Sequence, residues 1–314
     1  MHFVKELREG ERVIEHYLCK KKENRESKAG KAFLSLKLQD KTGIIDAKVW
    51  DLSNDIQPFD EGEMIKIDGS IIIFQNDLQI KVAKLRRSRE GEYVPEDYIP
   101  STTKDISEMY SQIVEMIKGV KDPHIKTLLE NIIIKDEIGA EAFKNHCAAV
   151  NMHHAFKGGL IEHTLSVAEI CMSLGKRYKY VNLDILLAGA LLHDFGKIFE
   201  ISPLPHSEYT DDGQMLGHII MCVEIISAEV NKIEDFPHEL ASLIKHCILA
   251  HHGEFEFGSP KLPATPEAML LHFADNIDAK LTTFSDIIEK DANQGLWSNY
   301  NKALGRYIRK PSKR

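Results

Sequence analysis

The hydrophobic and polar positions of this chain follow two different periods, one on either side of residue 91. Ahead of it they alternate. In AFLSLKLQD, Leu34, Leu36 and Leu38 fall on one face and Phe33, Ser35, Lys37 and Gln39 on the other, the two-residue period of a strand with a buried face. DKTG supplies a tight turn into IIDAKVW, whose Ile45, Ala47 and Val49 point one way and Ile44, Asp46, Lys48 and Trp50 the other. A strand over 12–22 precedes this hairpin. Strands over 64–74 and 78–85 follow it, with Gly69 marking a bulge and QND a turn. DLSNDIQPF reads as a short helical connection between the third and fourth strands. Five strands interrupted in this way predict a small closed barrel over residues 1–91.

Residues 92–104 carry two prolines and little periodicity, which predicts a linker. From Asp105 to residue 290 the apolar positions recur at helical spacing, predicting an all-α domain. GLIEHTLSVAEICMSL lines up Leu160, Thr164, Val167, Cys171 and Leu174. LDILLAGALLHDFGK is apolar nearly all round, the mark of a central helix, and ends at Gly196. ELASLIKHCILAHHG ends similarly at Gly253, and PEAMLLHFADNIDAKL opens on Pro266 near its first turn. Residues 291–314 are aromatic and then basic, and read as a C-terminal tail.

Composition narrows the classes. A 43% hydrophobic content supports packed cores, and a net charge of −8 argues against a protein that simply coats nucleic acid. That charge is uneven: residues 1–91 carry a net of +2 and the remainder −10. The first residues, MHFVKELREGERV, do not read as a signal peptide, and no stretch comes near the roughly 20 apolar residues of a membrane span. The five cysteines are scattered and never form C-x-x-C, which reads as reduced thiols of a cytoplasmic protein.

The helical part repeatedly places histidine and aspartate on apolar faces. His163 shares the stripe of Leu160 and Val167, and His193 and Asp194 end the most hydrophobic helix. His251 and His252 close another helix, and Asp275 sits between Ala274 and Asn276 on a third. A buried, unpaired carboxylate costs several kcal/mol, and a buried imidazole needs a partner. For one such residue a satisfied core position is the ordinary reading; for the set, convergence on cations offsets the burial.

In chain order the motifs are IEHTLSV, LLHDFGK, LGHIIM, LAHHGEF and HFADNID. This order, H…HD…H…HH…D, resembles that of the HD-domain metal-dependent phosphohydrolases. HHAFKGGLIEHTLSV and HHGEFEFGSPKLPATPEAMLLHFADNIDAKL further resemble the YhaM-type 3′-to-5′ exoribonucleases of Gram-positive bacteria, in which an OB-fold precedes the HD domain. The resemblance covers almost the whole chain and implies an OB-fold barrel followed by an all-α HD domain. It implies that Asp194 bridges two divalent metals, with His163, His193 and Asp275 holding one and His218, His251 and His252 the other. Mixed imidazole and carboxylate ligation suits manganese, iron, cobalt or nickel better than calcium or magnesium; manganese is what the resemblance implies. Two metals about 3.5–4 Å apart would activate water and neutralise phosphoryl oxygens during in-line attack. Lys197, one turn beyond Asp194, is placed to reach the scissile phosphate, or else is a solvated lysine at a helix end. Gly159 stands four residues before His163, where some trinuclear relatives carry an acidic ligand. GEFEFGSP replaces the Gly-Tyr-Pro signature of cyclic-di-GMP phosphodiesterases.

The expected substrate contacts are His153, His154 and Lys157 beside the catalytic helices, and Phe33, Lys37 and Trp50 on the barrel face where OB-folds hold single strands. The expected partners are single-stranded RNA, with single-stranded DNA open as a second substrate, and further copies of the chain; no membrane partner is expected. Hydrolysis from the 3′ end to nucleoside 5′-monophosphates is the implied activity. Its rivals are a phosphohydrolase of small nucleotides and a non-catalytic RNA-binding regulator.

Overall fold

The computed structural model describes residues 2–27, 30–52, 56–75, 77–150, 156–291, 295–301 and 304–311. They form two compact units: Met1–Ser101 with Pro203–Glu208, and Thr102–Ser202 with Tyr209–Arg314.

The first unit is an OB-fold, a closed barrel of β1 (Arg12–Glu26), β2 (Ala32–Asp40), β3 (Gly43–Val49), β4 (Met64–Phe74) and β5 (Asp77–Arg87). The order around it is β1-β2-β3-β5-β4, with only β3 and β5 parallel. The alternation seen in the sequence lines the interior: Leu36, Leu38, Ala47, Ile65, Ile71 and Ile80 are buried, while Lys37 and Ile44 face outward. The bulge falls at Gly69, where Asp68 opposes Lys84 and Gly69 opposes Val82.

Three expectations change here. β1 runs to Glu26 rather than residue 22, because Glu23 and Arg25 still pair with Ser35 and Phe33 of β2. In DLSNDIQPF, residues 53–55 lie outside the described residues, and the rest carries no helix; Phe59 fills the barrel core instead. Residues 92–101, expected within a linker, pack on the barrel. There Tyr98 is buried, its carbonyl accepts from Gln39 Nε2 at 3.1 Å, and Asp97 pairs with Lys41.

The second unit is helical: α1 (Ile106–Lys118), α2 (Pro123–Leu129), α3 (Glu137–Asn145), α4 (Gly159–Gly175), α5 (Leu183–Leu192), α6 (Lys197–Glu200), α7 (Asp211–Val230), α8 (His238–Ala250) and α9 (Pro266–Lys290). Asp105, Asp122, Asn182, Thr210 and Thr265 cap helix starts by accepting from backbone N–H groups. As its all-round apolar sequence predicts, α5 is buried and packs against α4, α8 and α9. It stops at Leu192, four residues short of Gly196, so His193 and Asp194 sit in the turn that follows.

By length and composition α7 could cross a membrane, contrary to the expectation that no stretch comes near it. Its backbone breaks at Gly217 (φ 75°, ψ 155°), leaving a longer limb of about 20 Å. That is short of the roughly 30 Å of a bilayer core.

Residues 295–301 and 304–311 are not a plain tail. Bridges Trp297–Arg309 and Asn301–Arg306 make a small hairpin, with Ser298 and Ile308 buried. All five cysteines are buried thiols, Cys19 in the barrel and Cys147, Cys171, Cys222 and Cys247 in the helical unit.

Candidate metal centre

Five elements of the helical unit deliver one or two side chains each to a common point. His163 comes from α4, His193 and Asp194 from the turn after α5, His218 from α7, His251 and His252 from the end of α8, and Asp275 from α9. Both adjacent pairs begin just past a helix end, with His193 (φ −53°, ψ −39°) and His251 (φ −66°, ψ −28°) still at helical backbone angles.

Every imidazole is held by its Nδ1. His193 Nδ1 donates to Ala190 O at 2.8 Å, His251 Nδ1 to Ile248 O at 2.7 Å and His252 Nδ1 to Phe257 O at 2.9 Å. His163 Nδ1 lies 2.7 Å from Asp278 Oδ2, and His218 Nδ1 lies 3.0 Å from Glu200 Oε1. A carbonyl only accepts, so each Nδ1 facing one carries the proton and Nε2 keeps its lone pair. The Nε2 atoms of His218 and His251 are buried with no hydrogen-bond partner among the described residues. Buried lone pairs left unmatched are costly, and a cation satisfies them. The donor set thus fits divalent metal.

Asp194 divides its two oxygens. Oδ2 faces His163 Nε2 and His193 Nε2, each at 3.4 Å, while Oδ1 faces His218 Nε2 at 3.4 Å and His251 Nε2 at 3.9 Å. Two groups that could hold a metal ion result, His163–His193–Asp194 and His218–His251–His252. Asp275 joins the first, with Oδ1 3.2 Å from His163 Nε2.

Burial penalises the Asp194 carboxylate, but Lys197 and the surrounding imidazoles overcome it and hold its pKa well below the usual range. Burial also opposes a charged Lys197. Asp194, at 2.7 Å from Nζ, outweighs that and raises it. Burial first, then the neighbouring His193 and His252, push His251 well down, which leaves it neutral as a ligand must be.

The sequence-derived residues divide as follows. The seven expected ligands and Lys197 come together. His153 and His154 lie outside the described residues. Lys157 is exposed, and its carbonyl accepts from Thr102 N at 2.9 Å. On the barrel, Phe33 is buried beneath Trp50, the rings stacked with centroids 4.4 Å apart, so Trp50 is the half-exposed member of the pair. Lys37 is exposed and lines a polar cavity of about 330 Å³ with Lys21, Arg25, Ser35, Asp46 and Lys48. Sequence reasoning missed Asp278 and Glu200. Asp278 carried a usable signal: it stands three residues after Asp275, on the same helix face. A second cavity, of about 200 Å³, opens beside the centre and is lined by Ala148, Ala149, Ala279, Lys197, His252 and Asp275.

An OB barrel followed by helices that gather this ordered His/Asp set defines a metal-dependent phosphohydrolase of the HD class. Family models agree: an HD domain matches residues 160–280 and an OB-fold nucleic acid binding domain matches residues 19–87. The chain is 35% identical over 283 residues to the 3′-5′ exoribonuclease YhaM of Geobacillus sp. (strain WCH70), covering 90% of this chain and 86% of that protein. It is 32% identical to the YhaM of Bacillus velezensis over 283 residues, covering 90% of this chain and 89% of that one. The chain belongs to the YhaM family of exoribonucleases, and it is a hydrolase.

Proposed function

We propose that this chain trims single-stranded RNA from the 3′ end, releasing nucleoside 5′-monophosphates, with His163, His193, Asp194 and Asp275 holding one divalent ion and His218, His251 and His252 a second. The observation that carries the reading is Asp194, whose two oxygens face two separate groups of imidazoles. Manganese suits the donors best, with iron, cobalt and nickel as alternatives. Bound there, the ions would supply Lewis acidity and a water activated at neutral pH.

The chain's own residues set the geometry. Asp194 fixes the Lys197 ammonium beside the cavity, where it can hold a phosphoryl oxygen and neutralise charge that grows during attack. Ala148, Ala149 and Ala279 leave room for the strand end. The cavity of about 200 Å³ is below the roughly 300–1,000 Å³ of common small-molecule pockets, which suits one terminal nucleotide entering in part. Upstream nucleotides would lie on the barrel, over Trp50, Lys37 and the polar cavity between β1, β2 and β3. Single-stranded DNA would follow the same path.

The exposed stripe of Met269, Phe273, Ile277 and Leu281 along α9 supports self-association. Five buried thiols suit a reducing compartment and hence the cytoplasm.

The test is digestion of 5′-labelled linear RNA and of circular RNA by metal-stripped protein given manganese. The linear strand should shorten as a ladder with mononucleotide release, and the circle should persist. Asp194→Ala should abolish both the ladder and metal retention. Rapid cleavage of the circle would sink the exonucleolytic reading.

A further inference from the structure

The last 24 residues differ in charge from the rest of the helical region. They hold six Lys/Arg against one Asp, a net of +5, in a stretch from residue 92 onward whose total is −10. Part of this segment is the hairpin that folds back at Gly305. Its two sides are joined by Ser298 N to Ile308 O and Lys310 N to Leu296 O, both 2.8 Å. The two-residue alternation of the hairpin buries Ser298 and Ile308 on one face. Three aromatics of the segment are exposed, Trp297 at 54%, Tyr300 at 52% and Tyr307 at 60%, and across the two sides the Tyr300 and Tyr307 rings meet edge to face at 5.2 Å. Arg306 and Arg309 are exposed beside them, and among the described residues neither has a carboxylate partner.

Exposed aromatics gain nothing from burial, so packing within the chain does not account for them. Here two of the rings touch, and Arg306 and Arg309 flank Tyr307 in the sequence with no carboxylate partner among the described residues. Rings offer faces to bases, and guanidinium forks match phosphate oxygens. We propose that this C-terminal hairpin is a second contact for single-stranded RNA, separate from the barrel, in which Tyr300, Tyr307 and Trp297 stack bases while Arg306 and Arg309 hold phosphates. The inference rests on RNA being the substrate. A second copy of the chain is the competing occupant, but the segment's net charge of +5 favours a polyanion.

Binding of a 5′-fluorescein-labelled 20-nucleotide oligo(A) to the full chain, read by anisotropy in EDTA so that nothing is cut, tests it. Tyr300→Ala with Tyr307→Ala should weaken binding by at least about 30-fold. Tyr300→Phe with Tyr307→Phe should restore it, which separates the loss of stacking from a failure to fold. Arg306→Ala with Arg309→Ala should make the plot of log affinity against log salt shallower by about 0.7 for each phosphate no longer neutralised. Hydrolysis of bis(4-nitrophenyl) phosphate by the manganese-loaded variants should match the unaltered chain. Unchanged RNA affinity in the alanine pairs overturns the proposal. So does a fall in sedimenting mass without loss of RNA affinity, which would assign the face to self-association. If the unaltered chain fails to trim RNA, the exoribonuclease reading falls by itself, whatever the hairpin variants do.

Discussion

Among the imidazoles of the centre, His193, His251 and His252 are held by main-chain carbonyls, whereas His163 and His218 face the carboxylates of Asp278 and Glu200. Each candidate metal group therefore contains one histidine backed by a carboxylate. Such backing locks the tautomer and makes Nε2 a stronger donor, and its removal commonly lowers metal affinity 10–100-fold. Asp278→Asn is expected to weaken manganese binding by about that factor. Calorimetric titration of metal-stripped protein would measure it, and unchanged affinity would leave Asp278 a mere packing residue. A histidine away from the centre contributes to acid sensitivity. His146 is buried, and burial outweighs its contacts with Cys147 O at 2.9 Å and Ile201 O at 3.1 Å, so its pKa is lowered. The unfolded chain, titrating near an ordinary 6.5, then takes up its proton first as the pH falls. The contribution is whole above about pH 6.5 and is lost as pH drops through the folded value. The melting-temperature gap between the unaltered chain and His146→Gln should therefore narrow from about pH 7 to about pH 5; a constant gap would refute this. His146 could not be singled out from sequence, because its burial depends on Ile201, far along the chain. The candidate ligands could be grouped from sequence because several histidines and aspartates on apolar helix faces have few stable solutions, and the resemblance supplied their order and His218.

One element takes a form that the sequence left open and that serves the centre. In LGHIIM a single glycine in an apolar run is compatible with a continuous helix or a break. The break at Gly217 swings the second limb of α7 so that His218 N and Nδ1 both reach Glu200 Oε1 at 3.0 Å. That φ and ψ combination is nearly confined to glycine, and an L side chain pays roughly 1–3 kcal/mol to adopt it. Gly217→Ala should lower stability by about that much. It should also loosen the His218–His251–His252 group, seen as reduced metal retention after dialysis. Full stability with full retention would mean the kink is incidental. The strands show the opposite case. Leu34, Leu36 and Leu38 could be placed by alternation alone, whereas the far end of β1, polar on both faces, declares itself only through pairing with β2.

Across the whole molecule, the barrel and the helical domain were separable in the sequence because their hydrophobic periods differ. The boundary itself was not: Tyr98 lies in a proline-bearing stretch without periodicity, yet packs on β2. Charge follows the same division, with the basic surplus in the first 91 residues and again at the C-terminal hairpin. The thiols follow it too. Burial lifts Cys19, Cys222 and Cys247 to about 12, so at about pH 8 they offer an alkylating reagent almost no thiolate and no accessible sulfur. Modification must wait for the surrounding structure to open, which makes labelling a clock for opening. Cys19 keeps time for the barrel and the other four for the helical unit. Pulsed iodoacetamide labelling at rising urea, read by peptide mass, should find all five protected at first. The order in which they then react would reveal which half of the molecule lets go before the other.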